Sequence, residues 1–583
     1  MEPRPLDVVA QLRQARVGPG DQVALAVEPG VGAGITAPGT GGPGSCLLAE
    51  AWVDQVAAVE EQLHPRWVLW SSRTAQVLVA EGVRVARAWD VAAVHRLLQG
   101  GWRADPAVVW ARLHDLPVET IPEVRAPDLF TAATDDDDDD EALRPDGHLH
   151  PGWVDGGWAA TPERLARWAG LALEAASLQA DRLRELPDPG HARSTAHAES
   201  AAELLCAELS HDGLPMDRGA AEEIIAGFVG PRPRDDAEAT EQRARRDAEV
   251  LRHAGGGSRF DLRSPGQVRS LLRSVGIEAA DTRAWRLEAL RSAHPVVDAL
   301  LAWRKAERVA TTYGYGWLDE HLGADGRLRG SWTSADGAAG RMTASAGLHN
   351  MPTAMRRAVV AEPGHVFVRA DLGQIEPRVL AAVSGDPLLA RATLADDLYA
   401  PIATQLAVDR ATAKVAVLGA MYGQTTGHGA GALRALRSAY PVAMAYLEEA
   451  DAAAQGGHAL RTYGGRVIPM GVANSNDVDD REARRQAAAR GRYGRNALVQ
   501  GAAAELFKVW AATVRAGAGA LDARVVLCLH DELLVHVPSS AGPATAELLE
   551  TCLQAAARRW TPGTGVRFVA DVSVVRCWAE AKG

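Results

Sequence analysis

Two stretches decide the reading of this chain: VFVRADLGQIEPRVLAA at 366–382 and VVLCLHDELLVHV at 525–537. In each, an apolar run of β-rich residues ends at a carboxylate, Asp371 in the first and Asp531 in the second. Both acids are therefore expected at the polar ends of strands. Helix is predicted to begin near Gln374, and the second stretch predicts a hairpin with His530, Asp531 and Glu532 at its tip. Two acids at a tip between apolar strands repel each other unless a cation screens them. Asp371 and Asp531 stand 160 residues apart, so only the fold can make a metal pair of them.

Between the two lies DRATAKVAVLGAMYG at 409–423, which spaces Arg410, Lys414, Leu418 and Tyr422 by four along one stripe of a predicted helix. By itself such a stripe is more often a solvated or core face. Its position between two acidic strand ends reverses that preference. Paired carboxylates and a helix carrying Arg and Lys are the parts needed for phosphoryl transfer from a nucleoside triphosphate.

Composition sets the frame. At 583 residues the chain exceeds one hydrophobic core, so two or more domains are expected. It is 47% hydrophobic and 23% charged, with no uncharged apolar run of the length a membrane span needs. MEPRPLDVVAQLRQ at the start lacks the order of a secretory signal. A cytoplasmic monomer without membrane contact is the expectation. Five scattered cysteines with no CxxC spacing argue for reduced thiols and against structural zinc. The net charge of −12 disfavours a polyanion partner at first sight. The run DDDDDDE at 135–141, read as a solvated loop, supplies seven of those charges, and the rest of the chain carries −5. A local electropositive cleft is compatible with that balance.

The three motifs in this order resemble the family A DNA polymerases, the bacterial DNA polymerase I family. The resemblance runs through Asp371, Gln374, Ile375, Glu376 and Arg378, then Arg410, Lys414 and Tyr422, then His530, Asp531 and Glu532. It implies a multidomain α/β and α+β architecture: an RNase H-like, exonuclease-type α/β domain at 1–190, then a right-hand polymerase at 196–583. Within the latter the thumb is expected at about 196–315, the palm at about 316–385 and 500–583, and the fingers at about 386–499. GLPMDR at 213–218, SPGQVRSLL at 264–272 and the helix around Arg304, Lys305 and Arg308 carry the thumb resemblance. The linker is expected at PDPGHARST, 187–195, with helix resuming at 198.

The resemblance also assigns roles. Asp371 and Asp531 would hold two Mg²⁺ ions about 3.5 to 4 Å apart, with Leu372 at the same metal site and Glu532 in support. Arg410 and Lys414 would neutralise the incoming dNTP triphosphate. Gln374, Glu376, Leu418, Tyr422 and His349 would line the nucleotide site, Glu376 blocking a ribose 2′-hydroxyl and Tyr422 lying at the template base. Arg341, Asn350, Arg492, Asn496, Gln500 and His530 would contact primer-template DNA, partly through minor-groove acceptors that vary little with sequence. Several positions depart from the family pattern: Leu372 and Leu418 replace aromatics, Pro377 replaces a leucine, and Tyr399 replaces a histidine. The motifs look like a divergent actinobacterial branch. A DNA-binding scaffold, a single-subunit RNA polymerase and a residual nuclease are the competing readings. The retained metal ligands disfavour the first, Glu376 with the HDE tip the second, and missing acids the third.

At the N-terminus, β-like runs (VALAV, WVLW, VRVARAW) alternate with helical stretches. A 3′-5′ exonuclease needs several carboxylates for its two metals. Here Ala26 stands where the first acid belongs, Glu28 remains, Arg73 or Thr74 occupies the helix position, and Trp168-x-x-x-Ala172 replaces the last motif, although Asp90 is present. The expectation is an exonuclease-like scaffold without catalysis, and too few residues ahead of the thumb for a 5′ nuclease as well.

Overall fold

The computed structural model describes residues 7–39, 45–123, 141–254, 260–423, 430–471 and 480–581. The acidic run at 135–140 lies outside the described residues. The chain divides into two compact units, one of Met1–Asp212, Ser331–Thr343 and Gly364–Val574, the other of Gly213–Gly330, Ala344–Pro363 and Val575–Gly583.

The first unit contains two larger sheets. One runs in the order Ser45–Leu48, Gly32–Thr36, Gln22–Glu28, Arg66–Leu69, Ala88–Asp90, the first three strands antiparallel and the last three parallel. Its central strand is buried on both faces, as a strand covered by helices on either side should be. Val23, Leu25 and Val27 join one apolar cluster with Trp67, while Ala24 and Ala26 join another with Trp70, Trp89 and Trp168. Helix Pro162–Arg184 crosses this sheet so closely that a Cβ at Gly34 would lie 2.0 Å from the Ala166 nitrogen.

Helix Pro189–Asp212 runs unbroken through the segment expected as a linker. Asp188 accepts a hydrogen bond from the His191 N–H at 3.0 Å, and Pro189 takes the first helical position, where its missing donor costs nothing. The Pro and Gly that read as punctuation therefore open a helix. Leu204 and Ala207 of that helix pack into the N-terminal core, so the expected boundary at 190–196 falls inside a continuous element.

The second sheet of this unit has the order Arg524–Leu529, Glu532–Pro538, His365–Leu372, Ala570–Val575. Helices Asp480–Ala518 and Gly542–Trp560 pack on each other and on this sheet. A buried polar network ties the long helix inward: Lys508 donates to both oxygens of Glu199, at 2.9 and 2.7 Å, and Arg466 lies 2.6 Å from the same carboxylate.

The second unit is mostly helical, as expected. Asp217, Asp235 and Ser264 cap helices Arg218–Val229, Asp236–Leu251 and Pro265–Ser274. Val268, Leu271, Leu272, Val297, Leu300 and Leu301 are among the residues that form its core. Of its basic stripe, Arg304 donates to the Thr282 carbonyl and Arg308 to the Asn350 carbonyl. Among the described residues no helix is long and apolar enough to cross a membrane.

Candidate active site

Strand His365–Leu372 carries Asp371 at its penultimate position, and the register sets Asp371 opposite Glu532. The chain then passes through Gln374, in the left-handed region at φ 54°, into helix Ile375–Ser384. The hairpin turns at His530, also left-handed at φ 55°, and Asp531. The Leu372 N–H donates to the Asp531 carbonyl at 2.9 Å, which pins the hairpin tip to the end of the first strand.

Asp371 and Asp531 line one open pocket of about 300 Å³, together with Arg341, Gln374, Glu376, Lys414, Leu418, Phe507 and His530. The acids that are far apart in sequence are thus brought together. Burial, and next Asp371, push the Asp531 carboxyl up to about 6, and a cation bound beside it would favour its charged form. Its side-chain donors are oxygens, which suits a hard ion such as Mg²⁺. The Leu372 side chain is buried and carries no donor, so its main-chain carbonyl is the atom that could serve an ion.

Glu376 is held from two sides. Tyr422 Oη donates to its Oε2 at 2.8 Å and Arg341 to its Oε1 at 2.6 Å. Arg341 was expected on DNA and is here paired with Glu376. Helix Arg410–Met421 begins on the cap Asp409, whose carboxylate accepts from the Thr412 N–H. Lys414 is exposed and faces the pocket. Arg410, one turn earlier, is instead bound to Asp397 at 2.5 and 3.1 Å. Gln374 donates to that same Asp397 and accepts from the Leu398 N–H at 2.8 Å.

Glu532 is not a pocket wall. It is 2% exposed and forms an ion pair of 3.2 Å with Arg369. On the long helix, Arg492, Asn496 and Gln500 lead to Ala503, Ala504 and Phe507, which do line the pocket. Asn496 Oδ1 is buried without a hydrogen-bond partner among the described residues. Gly423, at φ 67°, has the Arg492 side chain 2.7 Å from where a Cβ would sit. His349 and Asn350 belong to the second unit, in the 3-10 turn Leu348–Asn350, with His349 Nδ1 2.6 Å from the Ala344 carbonyl. Sequence reasoning overlooked Arg369 and Asp397. Arg369 lies two residues before Asp371 on a strand, a spacing that gives both the same face.

The N-terminal acids are spent elsewhere. Glu28 pairs with Arg73 at 2.9 Å, and that guanidinium covers the Trp158 ring. Asp90 is 1% exposed, caps helix Val91–Gln99 through the Ala93 N–H, and is pushed well up by burial and by Glu203.

The model of DNA polymerase family A matches residues 234–580, more than half of the chain. The chain belongs to DNA polymerase family A. This family A chain is 30% identical over 385 residues to the thermostable DNA polymerase I of Thermus aquaticus, covering 59% of this chain and 44% of that one. It is 27% identical over 351 residues to DNA polymerase I of Deinococcus radiodurans, covering 53% and 36%. It thus spans less than half the length of these curated relatives. Its fold is like that of the polymerase domain of Pol1 from M. smegmatis, solved in complex with DNA primer-template and dNTP. The TM-score is 0.68 at 20% identity, over 100% of this chain and 99% of that one.

Proposed function

We propose that the chain is a template-directed DNA polymerase that adds deoxynucleotides to a primer 3′-hydroxyl. The observation that carries the reading is the convergence of Asp371, Asp531, Lys414 and Glu376 on one pocket. Asp371 and Asp531 are the residues to hold Mg²⁺, and ions bound there would supply Lewis-acid activation of the hydroxyl and charge neutralisation on the triphosphate. Lys414 adds a fixed positive charge for the phosphates. Glu376, held by two donors, would stand in the way of a ribose 2′-hydroxyl and so select deoxynucleotides. Arg492, Asn496 and Gln500 form a polar stripe on the helix that continues into the pocket wall, suited to primer-template contact.

In this reading the segments keep the roles of thumb, palm and fingers. The N-terminal α/β domain is an exonuclease-like scaffold, because its remaining acids serve an ion pair and a helix cap. The polymerase serves repair or gap filling without proofreading. Extension of a labelled primer-template with dNTPs and Mg²⁺ tests this, comparing the natural chain with Asp531→Ala. Extension by the natural chain alone supports it; extension surviving the substitution overturns the metal assignment. Incubation of the same primer without nucleotides tests the scaffold, and Mg²⁺-dependent stepwise shortening would overturn it.

A further inference from the structure

Beneath the pocket, one guanidinium holds the acids of the Asp371 sheet together. Arg369 shares a strand face with Asp371, and Glu532 is the cross-strand partner of Asp371. The Arg369 side chain is 3% exposed. It donates to Asp371 Oδ2, places Nε 3.2 Å from Glu532 Oε1, and reaches Asp571 Oδ2 at 3.3 Å. A guanidinium, which stays protonated in proteins, is thus shared by three carboxylates.

We propose that Arg369 is a built-in counter-cation of the metal site: its guanidinium holds Asp371 in the ion-free protein, and a divalent ion must draw Asp371 away from it. The proposal rests on the polymerase reading of the pocket. An ion approaching Asp371 meets a competing hydrogen bond at Oδ2 and the repulsion of a fixed positive charge that burial leaves weakly screened. The exchange is feasible because Arg369 keeps Glu532 and Asp571 when Asp371 turns to the ion, so no buried guanidinium is left without a carboxylate. Arg369 is a positioning residue. It keeps Asp371 aimed before any ion binds, and it lowers the affinity of the site for ions.

The test is Mn²⁺ binding to the full chain without DNA or nucleotide, read by electron paramagnetic resonance of the free ion. Arg369→Gln is expected to tighten Mn²⁺ binding roughly tenfold to a hundredfold, the worth of one charge-assisted hydrogen bond. Arg369→Lys keeps the charge but cannot fork between two carboxylates, and is expected to tighten binding by less. Should Arg369→Gln fail to fold, the Lys variant decides. Unchanged or weaker Mn²⁺ binding in the folded variants overturns the proposal, because a merely structural ion pair would not oppose the ion. Asp531→Asn separates the two readings. If it leaves wild-type Mn²⁺ binding intact, or if neither the wild type nor Arg369→Gln binds the ion, the polymerase reading of the pocket fails and takes this proposal with it.

Discussion

Removing the Tyr422 hydroxyl is the most informative small change beside the pocket of Asp371 and Asp531. Glu376 is held from two sides, by Tyr422 Oη at 2.8 Å and Arg341 at 2.6 Å. Burial first, and then Glu376, push the Tyr422 phenol up to about 12, so it is a protonated donor at any assay pH near neutrality. Tyr422→Phe deletes one hydrogen bond to a charged acceptor, worth about 1.5 to 3 kcal/mol. If the full loss acts on the position of Glu376, selection of dNTP over rNTP falls about tenfold to about a hundredfold. Arg341→Ala removes a partly exposed ion pair, worth about 1 kcal/mol, and its effect is about fivefold. Glu376→Ala removes the barrier itself and is expected to exceed both. The assay is single-nucleotide primer extension, comparing kcat/KM for dCTP and CTP. A Tyr422→Phe ratio within twofold of wild type, while Glu376→Ala collapses it, would show that the hydroxyl does not position the acid. No effect of Glu376→Ala would refute the role of the acid altogether.

Further predictions concern the scaffold that holds the pocket. Glu199→Ala leaves Lys508 and Arg466 buried without their carboxylate and is expected to cost about 3 kcal/mol or more in urea unfolding followed by circular dichroism; a change below about 1 kcal/mol would contradict the buried pairing. Glu505 is pushed up by burial from 4.5 to about 7. Its folded-state pKa is raised, so its contribution to stability is full below about pH 4.5 and is lost as pH rises towards 7. Glu505→Gln should therefore gain on wild type over that window, levelling at about 3 kcal/mol, and a pH-independent difference would refute the assignment. Gly34→Ala drives a methyl into the Leu165 and Ala166 main chain and is expected to destabilise the chain by about 3 kcal/mol, seen as a lowered urea midpoint.

Much of the site was legible because it rests on two periodicities. Strand alternation put Asp371 at a strand end and Asp531 at a hairpin tip, and the four-residue spacing put Lys414 and Leu418 on the pocket side of one helix. What those rules do not reveal is how a charge is spent. Arg410 lies on the expected stripe, but its long side chain turns to Asp397, contributed by the turn before helix Tyr399–Leu406. Arg341 turns to Glu376. Glu532 follows Asp531 in sequence yet is no pocket wall: it opens strand Glu532–Pro538 opposite Asp371 and pairs with Arg369 instead. The helix across 189–212 was misread for a related reason: Pro and Gly punctuate a helix differently at its first turn than in its interior.

The most direct test of the central claim is a crystal structure of the chain with primer-template, dNTP and Mg²⁺. The account predicts divalent ions bound by both Asp371 and Asp531, with the triphosphate beside Lys414 and the sugar against Glu376. A triphosphate seated elsewhere, or ions that leave either aspartate uncoordinated, would contradict it.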